Sequence, residues 1–136
     1  MRGHIIVIGA GKFGSYLASS LSARGQDVIL IDKDKEAFTK LTDEFAGYEI
    51  NDDAFELEVL EEAEIAKAAQ VIIATNSDNA NIFIANICDE IYHVPQIFIR
   101  QSNEDKVSLL AGTRYQVIYP FNLSIQQYFN MISEGN

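Results

Sequence analysis

The sequence predicts an α/β fold with a doubly wound parallel sheet, because short apolar runs alternate with helical patterns along the chain. The first run, Ile5–Ile8, consists of four β-branched residues and is typical of a strand buried on both faces. Six such runs fit six strands in the order 3-2-1-4-5-6, joined by right-handed crossovers. The ligand crevice of such a sheet is expected at the carboxyl ends of the first and fourth strands, where the strand order reverses.

The elements are assigned in chain order from apolar periodicity and from residues typical of helix ends. The predicted strands are Ile5–Ile8, Val28–Ile31, 48–51, 71–74, 96–99 and 116–119. The predicted helices are 12–24, 34–45, 55–62, 79–92, 104–111 and a terminal helix over about 121–132. Asp34 is expected to cap the second helix, and Leu57 and Leu60 are expected to be buried. No repeat or linker divides residues 1–136, so a single domain is expected.

A glycine motif follows the first strand directly. Gly9, Gly11 and Gly14 have the spacing G-x-G-x-x-G between that strand and the first helix. Such a motif is weak alone, but in this context it is the phosphate-binding turn of a Rossmann fold. Gly9 allows the tight turn, Gly11 allows a pyrophosphate to approach the backbone, and Gly14 allows the helix to pack closely on the sheet. The first-turn amides and the positive end of the helix dipole would then face the phosphates.

An acid follows the second strand, as a dinucleotide site requires. Asp32 lies eighteen residues after Gly14, where a carboxylate accepts hydrogen bonds from ribose hydroxyls. The same carboxylate repels a 2′-phosphate, so NADP is expected to be disfavoured. The alternative is a plain βαβ turn in which the glycines serve only geometry and Asp32 caps the next helix.

Composition excludes several classes of protein. The formal net charge of −10 argues against a nucleic-acid-binding protein, because such a protein needs a positively charged surface. No apolar run is long enough to cross a bilayer, and no signal peptide is recognisable. Cys88, the single cysteine, lies in a helical apolar pattern and is expected to be a core residue. The adjacent acids Asp52 and Asp53 are expected to be solvated, so no metal site is predicted.

The chain resembles the N-terminal nucleotide-binding domain of regulators of potassium conductance, the Trk/Ktr-type regulatory subunits of potassium channels and transporters. The resemblance covers about residues 3–120 and rests on VIGAGKFG, the acid in LIDKD, NDDAFELEVL with EAEIAKAAQVIIATNSDNANI after it, and IFIRQSNEDK. It implies a cytoplasmic, non-catalytic subunit, peripheral to the membrane through a channel or transporter partner. It also implies homo-oligomeric assembly and binding of NAD or NADH, or alternatively of ATP, ADP or AMP.

The resemblance also implies a set of cofactor-binding residues. The glycines would hold the phosphates, Asp32 the ribose on the adenine side, Asp53 with Ala54 the adenine pocket, and the loop after the fourth strand the second nucleoside. The full set is Gly9, Ala10, Gly11, Lys12, Phe13, Gly14, Asp32, Lys33, Asp53, Ala54, Thr75, Asn76 and Asp78.

The sequence leaves several alternatives open. Lys12 either reaches a terminal phosphate or is a solvated lysine, and Arg100 either contacts ligand or forms a salt bridge. Asp52 replaces the usual glycine of the family, which adds a side chain beside the adenine pocket. The terminal helix either packs on its own sheet or contacts another chain.

Two other functions are alternatives to this one: an NAD-dependent oxidoreductase and a nucleotide-sensing module for a different partner. The sequence contains no Tyr-x-x-x-Lys pair and no C-x-x-C motif, and both histidines, His4 and His93, are expected outside the crevice. No catalytic residue is therefore predicted.

Overall fold

The fold is a six-stranded, fully parallel sheet with helices on both faces, seen in a computed structural model that describes residues 1–102 and 107–134. The strand order is β3-β2-β1-β4-β5-β6, which confirms the predicted topology. The strands are β1 (Ile5–Ile8), β2 (Val28–Ile31), β3 (Tyr48–Ile50), β4 (Gln70–Ile73), β5 (Gln96–Arg100) and β6 (Gln116–Ile118). The helices are α1 (Lys12–Ala23), α2 (Leu57–Glu62), α3 (Asp78–Glu90), α4 (Val107–Leu110) and α5 (Pro120–Glu134), with 3₁₀ helices over Lys35–Lys40 and Ile65–Lys67.

Alternate residues of each central strand pack into two separate apolar layers. Ile6 and Ile8 of β1 pack in a layer with buried residues of α2 and α3, whereas Ile5 and Val7 pack in a layer with Ala18 of α1. This alternation follows from the two-residue period of a strand. Because both faces are covered at β1 and β2, these strands are apolar at every position, as the sequence predicts for a parallel sheet.

The second predicted helix differs most from the structure. Asp34 caps it as expected, but the segment is a 3₁₀ helix that ends at Lys40, not an α-helix to residue 45. The Thr39 hydroxyl donates to Glu36 O at 2.8 Å, and the Thr42 amide donates to the buried Ser19 hydroxyl at 3.1 Å. These side-chain hydrogen bonds replace the backbone ladder that would continue a helix.

Smaller differences concern the ends and the packing of other elements. The prediction that Leu57 is buried is wrong, because it begins α2 and is 41% exposed, whereas Leu60 is buried as predicted. The other strand and helix ends shift by one or two residues. Residues 104–106 of the predicted fifth helix lie outside the described residues. Within the part that is described, no helix combines the length and the apolar character needed to cross a bilayer.

Cys88 is buried in the core, as predicted, and burial together with the nearby Asp89 raises the pKa of its thiol to about 12. The native thiol is therefore protonated at neutral pH and shielded from solvent. We expect DTNB to label Cys88 at least roughly a hundredfold more slowly in native protein than in protein unfolded by guanidinium. Rapid labelling of the native chain would contradict this placement.

Candidate functional site

The candidate site is a cavity of about 610 Å³ above the carboxyl edge of the sheet. Its volume falls within the range of about 300–1,000 Å³ that is usual for small-molecule sites. Strand register places Ile8 level with Ile31 of β2 and with Ile73 of β4. The loops that begin at Gly9, Asp32 and Ala74 therefore start side by side, which is the switch point predicted for the crevice.

Two of the three motif glycines are required by close contacts. Gly9 has φ +103°, and a Cβ there would lie 2.6 Å from Ala74 O, so the glycine turn rests on the end of β4. A Cβ at Gly14 would lie 1.8 Å from Gly9 O, which shows how closely α1 packs on the turn. Their geometric roles match the sequence prediction.

Gly11 is different, because a Cβ there would have no neighbour within 4 Å and its backbone is extended with φ −67°. The chain therefore does not need glycine at this position for its own packing. Gly11 lines the cavity and is also the N-cap of α1, where no side chain caps the helix. The first-turn amides of α1 lack intrahelical acceptors and lie at the positive end of the helix dipole. Open space beside these donors fits an anionic group such as a pyrophosphate.

Asp32 links the glycine turn to the loop after β2. Its Oδ2 accepts the amide hydrogen of Ala10 at 2.7 Å, and its Oδ1 accepts that of Asp34 at 2.8 Å. The half-buried carboxylate also lines the cavity. Since each carboxylate oxygen has two acceptor sites, Asp32 keeps capacity for hydroxyl donors from a ligand. The loop geometry therefore fixes this acid at the edge of the cavity.

The loop after β3 forms a further part of the cavity wall. Asp52 Oδ1 accepts the Asp53 amide at 2.8 Å, and Asp53 Oδ1 accepts the Phe55 amide at 2.9 Å. Asp52, which replaces the glycine expected in the family, is exposed and forms part of the lining. Its side chain therefore adds a charge at the cavity rim and does not fill its interior.

A residue outside the predicted set, Asn81, organises the loop after β4. It is fully buried, and its Oδ1 accepts hydrogen bonds from the amide and the hydroxyl of Thr75. Its Nδ2 donates to Thr75 O at 3.2 Å and to Arg100 O at 2.7 Å, so it connects this loop to the end of β5. The signal in the sequence was the asparagine six residues after Thr75, inside the apolar pattern of α3.

The predicted site residues divide into four groups. Those that line the cavity are Gly9, Gly11, Asp32, Lys33, Asp53, Ala54, Thr75 and Asn76. Ala10 and Gly14 are buried beneath the turn, and Lys12 and Phe13 line a separate groove on the outer side of α1. Asp78 is not among the lining residues, because its carboxylate accepts hydrogen bonds from the backbone and hydroxyl of Ser102. Lining residues that the sequence reasoning missed include Lys40, Phe55, Ala80 and Ile84.

Charge is unevenly distributed around the cavity. The loops after β2 and β3 contribute four acids, Asp32, Asp34, Asp52 and Asp53, and two lysines, Lys33 and Lys40. The lining from the glycine turn and from the loop after β4 has no charged side chain. An anionic group is therefore best placed over β1 and β4, and a hydroxyl-rich group over β2 and β3. Across residues 1–102 and 107–134 there is no cluster of three or more side chains suited to a metal ion.

A parallel sheet in this strand order, with a glycine turn and an acid at its switch point, defines a Rossmann-type nucleotide-binding class of domain. Comparison with known proteins agrees with this class and identifies the family within it. The model of the TrkA-N domain family matches residues 5–120, and the chain belongs to that family.

Relatives of known name are Trk system potassium uptake proteins. The chain is 33% identical over 97 residues to TrkA of Streptomyces coelicolor and 31% identical over 102 residues to a TrkA homolog of Methanothermobacter thermautotrophicus. These matches cover 71% and 75% of this chain but only 44% and 47% of the relatives. The chain thus spans about half the length of the relatives it matches.

Solved structures show the same fold. The TrkA-N domain of the inner membrane protein ybaL from Escherichia coli has a TM-score of 0.84 at 17% identity, covering 96% of this chain and 97% of that one. The GsuK RCK domain has a TM-score of 0.76 at 25% identity, covering 96% of this chain and 28% of that one. The GsuK channel bound to NAD has a TM-score of 0.73 at 18% identity, covering 88% and 22%.

Proposed function

We propose that this chain is a regulatory nucleotide-binding domain that controls potassium uptake or conductance through a membrane transporter. The observation that carries the proposal is the open space at Gly11, between unpaired first-turn amides of α1 and the fixed carboxylate of Asp32. These two features suit the pyrophosphate and a ribose of one ligand. Membership in the TrkA-N family and the names of the relatives support potassium transport as the process.

NAD or NADH is the proposed ligand, with ATP, ADP and AMP as the alternatives. All of these share an adenosine joined to phosphate, which is the part that Asp32 and the glycine turn would hold. Asp53 and Ala54 would line the base, and Thr75 and Asn76 would face the second half of a dinucleotide. The solved GsuK structures, one bound to ADP and another bound to NAD, support this class of ligand.

We infer that the domain senses its ligand and does not transform it. His4 precedes β1, and His93 lies between α3 and β5, so both belong to the amino side of the sheet, away from the cavity. Of the described residues that line the cavity, none is a histidine, cysteine or tyrosine, and the titratable side chains there are two exposed lysines and the acids of the loops after β2 and β3. A cytoplasmic location belongs to the same proposal. Assembly with further copies belongs to it as well, because a ligand regulates a channel only by favouring one arrangement of subunits over another.

A thermal-shift panel of NAD, NADH, ADP, ATP, AMP and NADP tests the proposal. A ligand at about 100 times its dissociation constant is expected to add about 2.7 kcal/mol to the free energy of unfolding. NADP is expected to give the smallest response, because its 2′-phosphate would meet the carboxylate of Asp32. The melting temperature is measured with each nucleotide and with inorganic pyrophosphate at the same concentration. The differences rank the nucleotides by how strongly each stabilises the fold.

Absence of any shift at millimolar nucleotide would overturn the proposal. A shift with pyrophosphate equal to that with NAD would mean that only an anion site is present. Turnover of NADH with carbonyl substrates would instead place the chain among the oxidoreductases.

A further inference from the structure

An aromatic pair, Phe55 and Phe83, belongs to one wall of the cavity and is absent from the site that the sequence predicted. Phe55 lies between β3 and α2 and lines the cavity, and Phe83 lies on α3. Their ring centroids are 5.4 Å apart and their planes are inclined by 38°, which is within the range of favourable aromatic contacts. The pair therefore joins the loop after β3 to α3.

Both rings keep a large exposed surface, 43% for Phe55 and 51% for Phe83. The lining next to them is also apolar, because Ala54, Ala80 and Ile84 belong to the same cavity. Apolar and aromatic linings of this kind are typical of small-molecule sites. Since Phe55 lines the cavity and is still exposed, its ring offers uncovered area to a flat apolar group of a ligand.

Local hydrogen bonds fix the backbone that carries Phe55. Asp53 Oδ1 accepts the amide hydrogen of Phe55 at 2.9 Å, and Asp53 O accepts that of Glu56 at 3.1 Å. The ring is thus held in place before a ligand arrives, so little ordering is needed on binding. A carboxylate has about four acceptor sites, so Asp53 can also accept a hydrogen bond from an amino group on the edge of that ligand.

The strand order determines which part of a nucleotide reaches Phe55. The glycine turn follows β1, Asp32 follows β2, and Phe55 follows β3 at the edge of the sheet. Neighbouring strands are about 4.8 Å apart, so the ends of β1 and β3 are separated by about 10 Å. Phosphate, ribose and base follow one another in a nucleotide over a similar length. A nucleotide with its phosphates on the glycine turn and its ribose at Asp32 therefore brings its base to Phe55.

We propose that the ring of Phe55, supported by Phe83, is the surface on which the base of the bound nucleotide stacks, and that it selects purine over pyrimidine nucleotides. Every base has a π face, but the two rings of a purine cover more of an aromatic side chain than the single ring of a pyrimidine. The proposal rests on the nucleotide site of the proposed function and adds which side chain selects the base.

Titration calorimetry of Phe55→Leu with ADP and CDP tests this selection. The two ligands share the diphosphate, the ribose and an amino group on the base, so they differ mainly in the size of the ring system. The wild type is expected to bind ADP about tenfold more tightly than CDP. Leucine stays apolar but has no flat face, so affinity for ADP is expected to fall roughly tenfold while affinity for CDP changes less than about threefold.

Tyr48→Leu is the matched control, because Tyr48 is an exposed aromatic residue at the start of β3 and is not part of the cavity lining. It is expected to keep both affinities. Unchanged binding of ADP by Phe55→Leu would overturn the proposal, and so would equal losses for ADP and CDP. If the wild type binds no nucleotide, the proposed function itself fails, so the two failures are distinguishable.

Fluorescence gives a second test that does not require a loss of binding. The sequence contains no tryptophan, so Phe55→Trp introduces a single indole at the proposed stacking position. ADP is expected to quench its emission by stacking, whereas inorganic pyrophosphate, which has no base, is expected to leave the emission unchanged. The control Tyr48→Trp is expected to respond to neither. Binding of ADP to Phe55→Trp without quenching would contradict the stacking.

The supporting role of Phe83 is tested by a double-mutant cycle with ADP. Phe83→Leu alone is expected to weaken binding of ADP, because the ring of Phe55 loses its neighbour. The same substitution in a chain that already carries Phe55→Leu is expected to have no further effect, since residues that act through one another are not additive. Additive losses would mean that Phe83 does not act through Phe55, and they would overturn this part of the proposal.

Discussion

Gly14→Ala is expected to lower the free energy of unfolding by about 4 kcal/mol, or to prevent folding altogether. The added Cβ would lie 1.8 Å from Gly9 O, and 3.6 Å from a methyl group of Val7. The first of these is a backbone atom, so a change of side-chain rotamer cannot relieve the overlap. Alanine favours the helical state by only about 1 kcal/mol over glycine, which is too little to compensate. A loss of this size is a large part of the total stability of a domain.

Chemical denaturation followed by circular dichroism measures this effect, and Gly11→Ala is its matched control. The Cβ at Gly11 has no neighbour within 4 Å and φ is −67°, so stability is expected to change by less than about 0.5 kcal/mol. If the pyrophosphate occupies that open space, the same variant loses nucleotide binding while remaining folded. Equal destabilisation by the two substitutions would mean that the turn is not packed as described.

The central part of the fold could be predicted from the sequence because the residues there prefer the same structure, a buried strand, that the whole fold requires of them. Ile5–Ile8 is apolar at every position since β1 has neighbours on both sides and layers on both faces. The positions of Gly9 and Asp32 follow from the same βαβ unit, so their convergence was predictable from spacing alone. Strand order then followed from the right-handed crossover rule.

The parts that sequence reasoning missed depend on contacts between distant segments. The early end of the helix at Lys40 depends on Ser19 of α1, whose hydroxyl accepts a hydrogen bond from the Thr42 amide. Asn81 has a helical position typical of core, and only the fold shows that it binds the ends of β4 and β5 together. Asp78, which the resemblance assigns to the cofactor site, accepts hydrogen bonds on its carboxylate from Ser102 of the next loop. Each case involves a hydrogen-bonding partner that periodicity cannot identify.

Asp32→Ala is expected to weaken nucleotide binding by roughly a hundredfold or more, because hydrogen bonds to a charged acceptor contribute about 1.5–3 kcal/mol each. The substitution also removes the acceptor of the Ala10 amide, which belongs to a fully buried residue, and that of the exposed Asp34 amide. We therefore expect a loss of stability of about 2 kcal/mol in the absence of ligand. The two effects have different origins, and titration calorimetry with NAD separates them from thermal unfolding of the free protein.

Asp27→Ala is the appropriate control for net charge, since Asp27 is exposed and precedes β2 at the opposite end of the same strand. It removes the same charge without touching the cavity, and it is expected to leave nucleotide affinity unchanged. If Asp32→Ala loses stability but keeps its affinity for NAD, the carboxylate serves only to join the glycine turn to the loop after β2. The ribose would then need a different acceptor among the acids of the cavity wall, and Asp53 is the half-buried one. Loss of affinity in Asp32→Ala together with wild-type affinity in Asp27→Ala would instead assign the ribose to Asp32, since removing a negative charge only reduces the repulsion of an anionic nucleotide and does not by itself weaken binding.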